Sequence, residues 1–313
     1  MATDAPRRFA RFVAVPRVRR LALTRIGLAG LAAVLTLAAL VVLLELATSW
    51  LKRQPDYRLA FREITLDPPP PSWYRGGAAA FLDRVRDGDP SKQAVSVLGI
   101  DLEELQRGFR LYCWVERVVR VERSYPNRLV VHLEYRKPVA VARGKVVPGR
   151  AKVEPDRVID KDGVILPKGD IDEEAVNRLI SVVDLDPPFD PRPGRVWKSG
   201  DSSRGQERGD ERVLAAAKLA DFLETAQERE KTLPPALQLI AIHPIDKHTL
   251  FVQNGPSTIV LWGEAPGSEY PGQLSAEDKW AKLRDWVRAN PNLQVESPYF
   301  LYLRFTKGEF IIR

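Results

Sequence analysis

The chain has little cysteine and little histidine, and both shortages limit what it can be. Its single cysteine, Cys113, rules out an intramolecular disulfide, so stability must come from an apolar core. The residues around Cys113 are apolar and aromatic, which indicates a packed, unreactive thiol. The three histidines are His132, His243 and His248. His132 lies on the polar side of a predicted strand, where we expect a surface or pairing role. The other two flank a turn without a cysteine or acidic cluster, so we predict no metal site there.

Motifs that would carry catalysis are also missing. The sequence has no glycine-rich phosphate loop, no serine nucleophile elbow and no zinc-binding helix motif. The run Asp160-Lys-Asp162-Gly163 is similar to the start of a calcium loop, but no acidic residue follows at the required distance. We predict a hairpin turn at this position. These absences favour a non-enzyme with no cofactor and no metal.

The charge balance first suggests a nucleic-acid-binding protein, because the net charge is +7. Nearly all of that charge belongs to residues 1–25, which hold seven arginines and one acid, Asp4. The remaining chain is close to neutral, with both signs mixed. It therefore lacks the basic surface that nucleic acids require, and we predict no nucleic-acid or small-molecule ligand. The arginines are better explained by membrane topology and anionic lipid headgroups.

Nineteen residues without a charge, Ile26–Leu44, follow the arginines. As a helix they would span roughly 28 Å, close to the ~30 Å thickness of bilayer hydrocarbon. The positive-inside rule predicts a cytoplasmic tail over 1–25, an anchor over 26–47 and export of 48–313. The alternative is a cleaved signal peptide. It is disfavoured because the run is long and Glu45 stands where a small residue is wanted for cleavage after Ala47. Trp50 lies where an interfacial aromatic residue is expected.

The exported part begins with a predicted strand, two helices and two strands within residues 57–138. The strands are expected at 58–66, 115–123 and 128–136, with helices at 77–86 and from Leu102 onward. Asp101 is expected to cap the second helix.

Alternation in the last of these strands predicts a buried face. Leu129, Val131 and Leu133 recur at every second position, which places them on one side of a strand. We expect them to pack on Leu105 and Phe109 of the second helix.

Residues 139–313 are predicted to form a second, mixed domain. We expect strands at 139–147, 157–166 (split by a hairpin turn), 237–243, 249–253, 257–262, 299–305 and 309–313. Helices are expected at 171–183, 210–230 and 275–289, with Trp280 and Trp286 in the core and a flexible polar loop at 199–210. The fold class is therefore α+β with one membrane helix.

The segment Trp114–Ala140 reads WVERVVRVERSYPNRLVVHLEYRKPVA. It resembles the signature of the FtsQ/DivIB family of bacterial cell-division proteins, whose pattern runs "WV…V.R.WP..L.I.V.ER.PVA". Further similarity comes from IDKDGVIL at Ile159–Leu166 and YLRFTKGEFII at Tyr302–Ile312. Departures include Tyr125 in place of the usual tryptophan before proline.

The resemblance implies a POTRA domain over 57–138 and an FtsQ/DivIB-like β domain over 139–313. It implies a non-catalytic scaffold in the inner membrane at the division septum. Its expected partners are single-span proteins of the FtsB and FtsL type and septal synthesis enzymes. The alternative is a POTRA-containing envelope protein of outer-membrane assembly or secretion, although no barrel-length run of strands follows.

The resemblance also implies a partner-binding site at the C-terminal strand, where a partner would add a strand of its own. The positions that match are Arg304, Phe305, Lys307, Gly308, Phe310 and Ile311. The alternative is that Phe305 and Phe310 are core residues and the sheet edge stays free.

Overall fold

The computed structural model describes residues 18–87, 94–144, 156–198, 209–230, 239–254, 258–289, 299–303 and 310–312. Its fold is mixed α and β, as predicted, with an apolar helix at the N-terminal end of the described chain. That helix, α1, covers Val18–Arg53 and contains the predicted anchor. An 18-residue window within its Gly30–Arg53 part has a mean hydropathy of 2.4, and none of the residues in that window is buried in the protein. By length and composition α1 can therefore cross a membrane.

The first group of elements follows α1 directly. Its strands are β1 (Arg58–Ala60), β2 (Thr65–Asp67), β3 (Ala94–Ser96), β4 (Val115–Ser124) and β5 (Arg128–Tyr135). Its helices are α2 (Gly77–Asp87) and α3 (Leu102–Leu111). β5 lies between β4, which is antiparallel to it, and β2, which is parallel to it. β1 and β3 form a separate antiparallel pair.

The prediction of one strand over 58–66 is wrong. A short 3-10 turn at Phe61–Glu63 separates β1 from β2, and the two strands join different sheets. The spacing of apolar residues explains the break. Leu59 and Phe61 alternate, as do Ile64 and Leu66, but the two pairs are out of phase by one residue, and all four side chains are buried. The turn absorbs the extra residue and keeps both pairs inward.

The core of this group matches the predicted buried face. Leu129, Val131 and Leu133 of β5 are at most 2% exposed. They belong to one hydrophobic cluster with Leu105 and Phe109 of α3. Asp101 caps α3 as predicted, because its carboxylate accepts hydrogen bonds from the N–H groups of residues 103 and 104.

The remaining strands form one nine-stranded sheet. They are β6 (Pro138–Gly144), β7 (Arg157–Asp160), β8 (Ile165–Leu166), β9 (Ile180–Leu185), β10 (Leu239–Asp246), β11 (Thr249–Asn254), β12 (Thr258–Gly263), β13 (Tyr299–Tyr302) and β14 (Phe310–Ile312). The helices are α4 (Glu173–Arg178), α5 (Glu211–Arg229) and α6 (Ala276–Ala289). The strand order is β14-β13-β12-β11-β10-β9-β6-β7-β8.

The predicted helix over 171–183 is also wrong. Only Glu173–Arg178 is helical, and Ile180–Leu185 is the central strand β9, parallel to both β6 and β10. Its β-branched residues Ile180, Val182 and Val183 favour a strand that is packed between neighbours. The hairpin predicted at residues 161–163 does connect β7 to β8. Ten of the twelve residues of the predicted loop at 199–210 lie outside the described residues.

Both faces of the large sheet are packed near β7 and β8. One face packs against α5, and the other packs against the first group of elements. Ile159 and Ile165 lie in a cluster with α5, whereas their neighbours Val158 and Leu166 lie in the cluster of β5 and α3. This split follows from the alternation of side chains along a strand. The sheet therefore connects two cores, and its far edge, β14, is at the opposite end from β8.

Candidate partner-binding site at the sheet edge

The C-terminal strand β14 forms one edge of the nine-stranded sheet. It pairs antiparallel with β13, so that Leu301 lies opposite Phe310, and Phe300 lies opposite Ile311. β13 is held in turn by β12, and the Leu303 N–H donates to the Leu261 carbonyl at 3.0 Å. Leu301 and Leu303 are each 1% exposed, so this hairpin is fixed to the core through β13. Within the described part of the chain, no strand pairs with the outer side of β14.

The opposite edge of the same sheet is closed. At β8, the Ile165 N–H donates to the Arg195 carbonyl, and its carbonyl accepts from the Gly194 N–H, both at 2.8 Å. Val164 forms an isolated bridge with Val196, and the Trp197 N–H donates to the Gly163 carbonyl at 2.8 Å. The segment 194–197 thus uses the hydrogen-bonding groups that a foreign strand would need.

The edges of the small sheet are protected in other ways. β4 is interrupted by two register shifts, and it carries Arg117, Arg120 and Glu122. Irregular, charged edges resist strand addition because they twist away and keep charges in water. β2 is as short as β14, with three residues, but it is followed by a run of four prolines from Pro68, which lack N–H groups. β14 differs from both, because its residues are Phe, Ile and Ile.

The predicted site residues are only partly within the described structure. Phe310 and Ile311 lie on β14. Arg304, Phe305, Lys307 and Gly308 lie outside the described residues, so their placement stays a prediction. The strand predicted at 299–305 is described as far as Tyr302, whose side chain is 42% exposed beside the edge hairpin.

The three histidines each contact a carboxylate. His132 lies 2.8 Å from Asp67 on β2 and 3.4 Å from Glu122 on β4, so it links the three strands of the small sheet. His243 Nδ1 lies 2.9 Å from Asp184. His248 Nδ1 lies 2.9 Å from the buried Glu264. Among the described residues, no group of three or more histidine, cysteine, aspartate or glutamate side chains has an arrangement that could hold a metal.

A polar cluster near Cys113 was not predicted from the sequence. Asp170 accepts hydrogen bonds from the Tyr112 hydroxyl at 3.2 Å and the Trp114 indole at 3.1 Å, and Tyr74 contacts Tyr112 at 2.8 Å. Burial raises the pKa of Tyr74 to about 12 and that of Cys113 to about 11. No local pattern could reveal the cluster, because Asp170 is 56 residues from Trp114. These contacts fasten the end of α3 to the start of α4, and the partly buried thiol of Cys113 lies beside them.

The other residues named from the sequence lie in the core, in a turn or on α1. Trp280 is 6% exposed in the large core, and Trp286 is half-buried against it. Asp160 organises the β7–β8 turn, since it accepts from the N–H groups of Asp162 and Val164 and from Arg136. Trp50 is 63% exposed near the end of α1.

Comparison with known proteins adds no assignment. No family model matches the sequence, and no curated protein matches it. The functional proposal therefore rests on the open edge at β14.

Proposed function

We propose that this chain is a non-catalytic, membrane-anchored scaffold of the bacterial division machinery, similar to FtsQ/DivIB proteins. The apolar part of α1 anchors it in the inner membrane, residues 1–25 lie in the cytoplasm, and the folded part is exported. Its partners are single-span division proteins of the FtsB and FtsL type, which link it to septal peptidoglycan synthesis. The motifs in residues 114–140, 159–166 and 302–312 support this proposal together with the anchor.

The first group of elements supports a POTRA-like unit. Its order of β2, α2, α3, β4 and β5 corresponds to the strand-helix-helix-strand-strand order of that domain. The sheet order β2-β5-β4, with one parallel and one antiparallel pairing, is compatible with it. The additional β1–β3 pair is a departure from the expected five elements.

The observation that carries the proposal is the contrast between the strand edges. In the described part of the chain β8 is covered, β2 is followed by four prolines and β4 has two register shifts, whereas β14 is apolar and no strand pairs with its outer side. An apolar edge of this kind either causes aggregation or binds a strand. A partner strand would extend the sheet through backbone hydrogen bonds and use alternate side chains for selectivity.

The size of β14 sets a limit on what the backbone can contribute. The described strand has three residues, so an added strand can form about two or three hydrogen bonds to it, each contributing about 1 kcal/mol. A dissociation constant of 1 μM requires about 8 kcal/mol. Side-chain contacts must supply the rest, and we assign them to Arg304, Phe305, Lys307 and Gly308, which precede β14 in the sequence.

Site-specific photo-crosslinking in dividing cells tests the proposal. A photoreactive phenylalanine analogue replaces Ile311 on β14, and the matched control replaces Val119, which is 53% exposed on the irregular edge of β4. We expect position 311, and not position 119, to capture a single-span protein of the FtsB or FtsL type. A fluorescent fusion should accumulate at midcell. Equal crosslinking from both positions, or uniform fluorescence over the envelope, would contradict the proposal.

A further inference from the structure

The folded part of the chain begins directly at the end of α1. The Gln54 N–H donates to the Leu51 carbonyl at 3.1 Å, and the Tyr57 N–H donates to the Gln54 carbonyl at 3.2 Å. β1 then begins at Arg58, so no linker separates the helix from the first strand. If the apolar run ends near Leu46, Arg53 lies only about 10 Å further along the helix. The first group of elements must then lie against the membrane surface.

Contacts around Val97 identify which end of that group faces the membrane. The Lys52 side chain packs along Gly99, where an added Cβ would lie 3.3 Å from the Lys52 stem. The Val97 N–H donates to the Tyr57 carbonyl at 2.9 Å, and Arg123 donates to the Val97 carbonyl at 3.1 Å. Arg123 is near the C-terminal end of β4. This end of β4 is therefore beside the end of α1.

The turn that follows β4 extends further at the same end. It connects Ser124 to Arg128, the first residue of β5, and its residue Tyr125 is 62% exposed. Trp50 on α1 is similarly exposed, at 63%. Tyrosine and tryptophan are the residues enriched at membrane–water interfaces, because their rings are apolar and their tips are polar.

Basic residues flank these two aromatic side chains in the sequence. They are Lys52, Arg53, Arg58, Arg123 and Arg128. The acids nearest to them in the sequence are Glu45, Asp56 and Glu122, and Glu122 lies 3.0 Å from Arg120.

Arg53, Arg58 and Arg128 have no ion-pair partner among the described residues, whereas exposed arginines such as Arg62 and Arg117 are paired with carboxylates. Unpaired cations beside a membrane are attracted by anionic headgroups.

We propose that this end of the molecule is a second membrane contact, in addition to α1, and that its ligand is the anionic phospholipid headgroup. We define the membrane-facing rim as Trp50, Lys52, Arg53, Arg58, Tyr125 and Arg128. The rim holds the first group of elements at a fixed orientation on the bilayer. This inference rests on the proposed insertion of α1.

Spin labels in the full-length chain in lipid nanodiscs test the contact. In a Cys113→Ala background, single cysteines replace Tyr125 in the rim, Ile245 as an equally exposed control, and Leu43 in the apolar run. Ile245 is 62% exposed on β10. A nickel-chelating lipid reports proximity to headgroups, and dissolved oxygen reports immersion in hydrocarbon. Discs of phosphatidylcholine with and without phosphatidylglycerol report the dependence on anionic lipid.

We expect strong nickel relaxation at position 125 and weak relaxation at position 245, with a further increase at position 125 when phosphatidylglycerol is present. The double variant Arg58→Gln, Arg128→Gln should weaken the binding of the rim to anionic headgroups on the order of tenfold. Equal relaxation at positions 125 and 245 would overturn the rim while leaving the anchor intact. Relaxation that depends neither on phosphatidylglycerol nor on the two arginines would overturn recognition of anionic lipid. A label at position 43 that is shielded from oxygen and exposed to water would overturn the anchor and the rim together.

Discussion

A buried charge in the small sheet should unfold the first group of elements. Val131 is fully buried at the centre of β5, opposite Val121 on β4 and Leu66 on β2. The Val131→Asp variant places a carboxylate among these side chains. The matched control is Val119→Asp on β4, where the native side chain is 53% exposed.

The expected loss has two parts. Removing the buried valine costs about 1.5–3 kcal/mol of apolar burial. A fully buried carboxyl group can have its pKa raised by about 3–5 units, which costs about 4 kcal/mol at pH 7, because a group whose pKa exceeds the pH stays protonated in the folded state. The sum approaches the total stability of a typical domain, which is about 5–15 kcal/mol. The control should change the free energy of unfolding by no more than about 0.5 kcal/mol.

Urea unfolding of the full-length chain in detergent, followed by tryptophan fluorescence, measures this difference. Trp114 is fully buried in the same cluster and reports its opening. The introduced carboxyl group has a raised pKa in the folded state, so the folded state binds more protons above the unfolded pKa of about 3.9. The destabilisation should therefore grow as the pH rises from about 4 and shrink as it falls. If Val131→Asp were as stable as Val119→Asp at pH 7, the register of β5 would be refuted.

Three further predictions follow from individual residues. Asp101→Ala should lower the free energy of unfolding by about 1 kcal/mol in a urea titration, because two N–H groups of α3 lose their cap; an unchanged midpoint would refute the cap. Cys113 should resist alkylation at pH 8 in the folded chain and react in urea, because burial raises the pKa of its thiol to about 11; equal rates would contradict that burial. The proposed topology exports the C-terminal region, so alkaline phosphatase fused after Arg313 should be active; an inactive fusion would reverse that topology.

Local patterns predicted most elements of this fold. The cap at Asp101, the alternation in β5 and the apolar side of α5 each depend on residues close in sequence. The two errors arose where tertiary packing overrode a local pattern. The run 58–66 was predicted as one strand, but the burial of both Phe61 and Ile64 requires a turn between them. β9 is a strand because β6 and β10 lie on either side of it.

The candidate site was only partly predictable for the same reason. The last strand could be predicted from its apolar residues, whereas its place at an edge of the large sheet required the structure. The closure of β8 by the segment 194–197 could not be predicted, because it depends on contacts between residues about thirty positions apart. The difference between the two edges, which carries the functional proposal, required the structure.

Two single proline variants, at consecutive positions of β14, test strand addition directly. In an antiparallel pair, successive residues direct their N–H groups alternately toward the partner strand and away from it. Of Ile311→Pro and Ile312→Pro, one therefore removes a hydrogen bond to β13, and the other removes an N–H that faces outward. Val119→Pro, at a register shift of β4, is the control.

The measurement is co-purification of the captured partner together with the melting temperature of each variant. We predict that the outward-facing substitution abolishes co-purification at an unchanged melting temperature, whereas the inward-facing one lowers the melting temperature as well. Val119→Pro should retain the partner. Full co-purification with both β14 variants would contradict the claim that this edge receives a partner strand.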